Sequence, residues 1–138
     1  MNQSQSPHVA VIGAGAWGHN HVRVLKQLGV LGLVIDTNPR IRSSITDEFG
    51  IPTSSSIDEL SQFPNITAAV VATPAESHTA VAAKCLELGL DLLVEKPLAL
   101  TAADAMDLCE SADASNRILM VGHLLLFHPA VQALHSLV

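Results

Sequence analysis

Gly13-Ala14-Gly15-Ala16-Trp17-Gly18 is the stretch on which the reading of this chain turns. Its glycines stand at positions one, three and six of the run. That spacing alone is weak, because glycines are common in turns. The surroundings add weight. Residues 8–12, His-Val-Ala-Val-Ile, form an apolar strand-like run that leads straight into Gly13. Beyond Gly18, residues Val22, Leu25 and Leu28 recur on one helical face, and Gly29 follows as a C-cap. A second apolar run, residues 31–35, ends in Asp36. Strand, glycine turn, helix, strand and acidic residue in this order predict a first βαβ unit that cradles the pyrophosphate of a dinucleotide.

Each position has a physical task in that expectation. Gly13 permits the tight turn, and Gly15 lets a pyrophosphate approach the backbone. Gly18 lets the helix lie close to the strand. Ala16 and Trp17 sit where the free N–H groups of the helix start face the phosphates. Asp36 accepts hydrogen bonds from the adenosine ribose, and its charge repels a 2′-phosphate, which favours NAD over NADP. Thr37 beside it is not the arginine that a 2′-phosphate needs, while Arg40 and Arg42 keep NADP as the second option. The competing reading is a glycine-rich turn that binds no cofactor.

The rest of the chain repeats the alternation of short apolar runs and amphipathic segments. Asn38-Pro39 opens a helix through about Glu48, with proline in its first turn. Residues 51–53 read as an edge strand and Ser56 as the cap of a brief helix over 57–60. Strands are expected at 66–72, 90–94 and 117–121. Helices are expected at 76–88, from Thr101 to about Ala114, and again from Leu124. This order predicts an α/β protein with a doubly wound, mostly parallel, Rossmann-type sheet covered on both faces. Residues 1–7 read as a disordered tail, 8–122 as the nucleotide-binding domain and 123–138 as an exit segment.

Composition sets outer limits. The chain has 138 residues, enough for one domain with a real core, and 49% are hydrophobic while 14% are charged. A net charge of −6 argues against nucleic acids and anionic membranes as partners. It leaves an anionic cofactor open, since a helix N-terminus binds phosphate locally. No apolar run is long enough to span a bilayer, and the first seven residues lack a signal-peptide core, so the expected location is the cytoplasm. Cys85 and Cys109 stand far apart in helical patterns and read as buried thiols in a reducing compartment. Seven histidines invite a metal site, and His128 and His135 could share a helix face, but no third ligand accompanies them and none is expected.

Two further strand ends carry polar turns. One is Ala72-Thr73-Pro74 with Glu76, Ser77 and His78 behind it; the other is Glu95-Lys96-Pro97. Ligands of open α/β sheets gather at such ends. A lysine there would polarise a substrate oxygen or relay its proton during hydride transfer. Pro97 would stiffen the turn, with a cis Lys-Pro bond as one way of doing so. A solvated turn that merely ends a strand is the other reading. His123 and His128 either approach the cofactor or substrate or are ordinary residues of the exit segment.

Taken with the glycine loop, Asp36, Ala72-Thr73-Pro74 with His78, and Glu95-Lys96-Pro97, the chain resembles the Gfo/Idh/MocA family of sugar and polyol oxidoreductases over essentially its whole length. The stretch Gly122-His123-Leu124-Leu125-Leu126-Phe127-His128-Pro129-Ala130 is similar to the family's segment leaving the nucleotide domain, and within the family to dehydrogenases of nucleotide-linked amino sugars. The resemblance implies NAD(P) bound at Gly13, Gly15, Ala16, Trp17, Gly18, Asp36, Thr37, Ala72, Thr73, Pro74, His78, Glu95, Lys96 and Pro97, with Lys96 catalytic. It implies a sugar, polyol or nucleotide-sugar substrate. It also implies a second α+β domain supplying a histidine or aspartate; this sequence stops where that domain would begin. A non-catalytic dinucleotide-binding module or subunit is the alternative function. Leu124, Leu125, Leu126, Phe127, Val131, Leu134, Leu137 and Val138 are expected to form an exposed apolar patch that favours self-association or a C-terminal domain partner.

Overall fold

The computed structural model describes residues 8–137; the expected tail and Val138 lie outside them. Six strands form one sheet: β1 (His8–Ile12), β2 (Leu31–Ile35), β3 (Thr53–Ser54), β4 (Ile66–Val71), β5 (Asp91–Val94) and β6 (Leu119–Val121). The helices are α1 (Ala16–Gln27), α2 (Pro39–Phe49), α3 (His78–Glu87), α4 (Ala102–Ala114) and α5 (Pro129–His135). The strand order is β3-β2-β1-β4-β5-β6 and every pairing is parallel. The chain winds outward from β1 to β3, returns to the far side of β1 as β4, and winds outward again to β6. The winding therefore reverses between β1 and β4, which is where such sheets leave a crevice at their carboxyl ends.

Alternation along the strands feeds two cores. Val11, Val34 and Val70 point to one face and pack with Val22 of α1 and Ile45 of α2. Ile12, Leu33, Val71 and Val94 point to the other and pack with Cys85 and Leu86 of α3 and Leu108 of α4. Burying one such Val, Leu or Ile side chain is worth roughly 1.5–3 kcal/mol, so the two faces hold the strand ends in fixed register. The doubly wound arrangement is the expected one.

Several boundaries differ from the sequence expectation, each for a local reason. The edge strand forms at Thr53–Ser54 rather than 51–53, because Pro52 has no N–H to give the ladder. The third major helix begins at His78, not Glu76, after a 3-10 turn over Ala75–Ser77. There the Ser77 hydroxyl bonds back to Pro74 O at 2.8 Å, a contact that competes with helix formation. The last strand starts at Leu119, since Ile118 N donates to the Asp91 side chain at 2.9 Å. The exit segment is not one helix from Leu124. A 3-10 turn at Leu124–Phe127 stops at His128, and α5 restarts at Pro129. Proline cannot sit inside a helix and forces its predecessor into extended backbone. His128 accordingly caps α5, its Nδ1 accepting from Ala130 N, so it does not share a helical face with His135. Cys85 is buried as expected, but Cys109 is exposed on α4.

Candidate functional site

The three glycines of the loop do different work. Gly13 has φ +85°, and a Cβ there would stand 2.8 Å from Thr73 N and 2.9 Å from Ala72 C. It lets the turn after β4 lie against the turn after β1. A Cβ on Gly18 would strike the Gly13 carbonyl, so this glycine lets α1 sit on the loop. Gly15 is the opposite case: nothing lies within 4 Å of where its Cβ would be. It caps α1 without offering a side chain, and no side-chain cap satisfies the helix start. The result is an open cradle with the first-turn N–H groups at its edge. This fits a pyrophosphate: backbone donors, positive helix end, and room that a side chain would fill.

The cradle opens onto a cleft of about 1000 Å³ bounded by the carboxyl ends of β1, β2 and β4. Gly13, Gly15, Ala16, Trp17, Asp36, Thr37, Ala72, Thr73 and Pro74 all line it. Asp36 is fixed by two backbone donors. Its Oδ2 accepts from Ala14 N at 2.8 Å and its Oδ1 from Asn38 N at 2.8 Å. Each oxygen retains acceptor capacity for a ribose hydroxyl. Arg42 Nη1 donates to the carbonyls of Asp36 and Thr37, at 2.7 and 3.0 Å, which ties it to the loop backbone. Arg40 lies on α2 in a separate shallow depression with Ser43, Ser44, Asp47 and Glu48.

A second cavity, of about 620 Å³, lies at the ends of β5 and β6. It is lined by Glu95, Lys96, Pro97, Gly122, His123 and Leu124–Leu126, with Trp17 shared between both cavities. The Lys96-Pro97 bond is cis, and Lys96 is exposed at the mouth. Glu95 does something else. Its side chain turns inward, is 8% exposed, and its Oε1 accepts from His21 Nε2 at 2.8 Å. Its Oε2 accepts from Lys96 N at 3.3 Å, and Gly122 packs against it so closely that a Cβ would stand 3.1 Å from Oε2. Glu95 thus anchors the lysine turn to α1. His123 lines this cavity, whereas His128 is spent on its cap.

His78, expected to touch the cofactor, is instead buried and lines neither cavity. Its ring lies between the carbonyls of Pro97, 2.7 Å from Nδ1, and Thr73, 2.9 Å from Nε2. It joins the turn after β4 to the turn after β5 and holds the two strand ends together. Both ring nitrogens face carbonyl oxygens there, and whichever carries the proton donates to its carbonyl.

Sequence reasoning missed some residues here. Ser55, Ser56 and Asp58 also border the cleft, and Asp58 meets Lys84 of α3 at 3.4 Å across its rim. Recognising that the turn after β3 lies at the same sheet end would have found them. His21 stands four residues after Trp17 and so on the same face of α1, the signal that points it toward the lysine turn. Among the described residues no group of three or more His, Cys, Asp or Glu could hold a metal ion. No described helix is long and apolar enough to cross a membrane.

Comparison with known proteins gives a consistent picture. The family model described as "Oxidoreductase family, NAD-binding Rossmann fold" (Gfo/Idh/MocA) matches residues 8–123. The UDP-N-acetylglucosamine 3-dehydrogenase of Acidithiobacillus ferrooxidans is 31% identical over 91% of this chain and 40% of its own length. Inositol 2-dehydrogenase 1 of Saccharopolyspora erythraea is 34% identical over 88% of this chain and 38% of its own. Among solved structures, GenD2 from gentamicin A biosynthesis, in complex with NAD, superposes with a TM-score of 0.82 at 31% identity, covering 88% of this chain and 36% of that one. The chain therefore spans about two fifths of the length of these relatives.

Proposed function

The chain belongs to the Gfo/Idh/MocA oxidoreductase family, and from that premise we propose that it is the dinucleotide-binding half of an NAD-dependent dehydrogenase acting on a secondary alcohol of a sugar, polyol or nucleotide-sugar. One observation carries the reading: the open cradle at Gly15, the carboxylate of Asp36 and the exposed Lys96 meet at the same end of the sheet, beside the point where its winding reverses. The first-turn N–H groups of α1 hold the pyrophosphate. Asp36 accepts from the adenosine ribose and sets a negative charge where a 2′-phosphate would sit. Arg42 is tied through Nη1 to the carbonyls of Asp36 and Thr37 and is not among the residues lining the cleft. The bound nicotinamide supplies the hydride chemistry. Lys96 donates a hydrogen bond to the substrate oxygen or carries its proton, with its turn held by Glu95 and His21.

The relatives named as dehydrogenases of an amino-sugar nucleotide and of inositol support the substrate class. The test is titration of the whole chain with NADH and NADPH, followed by the fluorescence of Trp17, its only tryptophan. NADH is expected to bind at least ~10-fold more tightly than NADPH, since one repulsive charge contact in a cleft is worth about a kcal/mol or more. Binding of neither nucleotide would overturn the reading.

A further inference from the structure

Lys96 and His123 leave neighbouring strands at the same level. β5 and β6 pair in parallel with Val94 opposite Val121, and Gly122 N donates to Val94 O at 2.8 Å. One step on, Gly122 lies against Glu95, and a Cβ on it would stand 3.4 Å from Glu95 Cα. Lys96 and His123 are the next residues of the two strands, and both line the smaller cavity. Adjacent strands run about 4.8 Å apart, so the two side chains start roughly one strand spacing from each other. The rest of that cavity is mainly apolar, with Leu124, Leu125 and Leu126 along one side. Glu95 also borders it, but its oxygens accept from His21 and from Lys96 N. His21 is held by Glu95, His78 lies between two carbonyls and His128 caps α5. Among the described residues, neither the His123 ring nor the Lys96 ammonium takes part in an ion pair.

We propose that His123 is a specificity-determining residue of the Lys96 site: Lys96 takes the reacting oxygen, and His123 exchanges a hydrogen bond with a hydroxyl on the adjoining carbon. The site so built selects a vicinal diol over a lone alcohol. This rests on the dehydrogenase reading above and adds to it the feature of the substrate that this chain's own residues recognise. A hydroxyl placed against leucines loses its bonds to water and is accepted only where a side chain replaces them. An imidazole suits that task, because one ring nitrogen donates and the other accepts. The leucines take the carbon skeleton that joins the two oxygens.

The experiment titrates the full chain, saturated with NADH so that no hydride leaves the alcohol, with cis-1,2-cyclohexanediol and with cyclohexanol. The two probes share an apolar ring and differ by one hydroxyl. Binding is followed by the methyl resonances of Leu124, Leu125 and Leu126. The diol is expected to bind roughly fivefold more tightly than the mono-alcohol. His123→Ala should reduce that preference to within about twofold, and His123→Asn, which keeps a hydrogen-bonding side chain, should restore part of it. Lys96→Met should weaken both probes by a similar factor and leave the preference in place. Thermal unfolding of the variants should match the parent, since both side chains are exposed. A chain that binds NADH but shows no preference for the diol, or keeps the preference in His123→Ala, would overturn the proposal and leave the dinucleotide reading intact. If the unaltered chain does not bind NADH, the dinucleotide reading itself fails and this inference falls with it.

Discussion

The turn after β1 and the turn after β6 occupy equivalent places at the carboxyl end of one sheet, yet they are built in opposite ways. At the first, backbone meets backbone: Gly13 lies against Ala72 and Thr73, and Gly18 against Gly13, with no side chain between. At the second, Leu124, Leu125, Leu126, Phe127, Leu134 and Leu137 are all more than half exposed, and the strand that leads to them has Met120 open to solvent. Small residues make the first region rigid and leave a shaped void. Large apolar residues make the second a surface with no described residues packed over it. A cradle for a ligand is specified by what is missing from its side chains; a contact surface is specified by what is present.

Gly18→Ala should break this contrast most severely. Its Cβ has no room beside the Gly13 carbonyl, and the obstacle is backbone rather than a movable side-chain end. A loss of about 3 kcal/mol or more is expected in urea unfolding. Gly15→Ala, where the space is open, should leave stability within about 1 kcal/mol while weakening NADH binding. Similar stability losses at the two glycines would show that the loop does not divide as described.

The two thiols sharpen the comparison at intermediate size. Burial pushes the Cys85 thiol up from its ordinary 9.0 to about 12. In the unfolded chain this thiol ionises near 9, whereas the folded chain keeps it neutral. The stability it contributes is complete below pH 9 and is lost progressively as pH rises from 9 toward 12. Unfolding free energy should fall by about 1 kcal/mol between pH 8 and pH 10 from this group. That component should be missing in Cys85→Ala. A thiol reagent at pH 8 should modify exposed Cys109 quickly and Cys85 only on unfolding.

The smallest stability effect is expected at the exit segment. Phe127→Glu with Leu134→Glu should change unfolding free energy by no more than about 0.5 kcal/mol, since both side chains are already in water. The same pair should lower self-association measured by light scattering at high concentration. A parent chain that stays monomeric under those conditions would end that expectation.

Much of the site was legible because local rules act on it. The glycine spacing, the strand before it and Asp36 at the end of the next strand are properties of contiguous sequence, and Ile12, Gly13, Gly15 and Asp36 line the cleft. Proline chemistry is legible too: Pro129 decides that the exit segment breaks at His128. Glu95 and His78 were harder. Their residue types suggest ligand contacts, while their partners, His21 and the carbonyls of Thr73 and Pro97, come from elements 74, 5 and 19 residues away.

By itself, then, the sequence determined the alternation of strands and helices, the position of the glycine loop and that of the carboxylate after β2, because periodicity, turn chemistry and charge are local. Only the tertiary structure decided which polar side chains line the cavities and which hold the frame. It turned Glu95 inward to α1, buried His78 between two turns and set Trp17 between two cavities. The reason is that a side chain's role depends on which hydrogen-bond partner and which void the packing brings to it. That is settled when β4 and β5 pair beside β1, and no stretch of contiguous residues contains it.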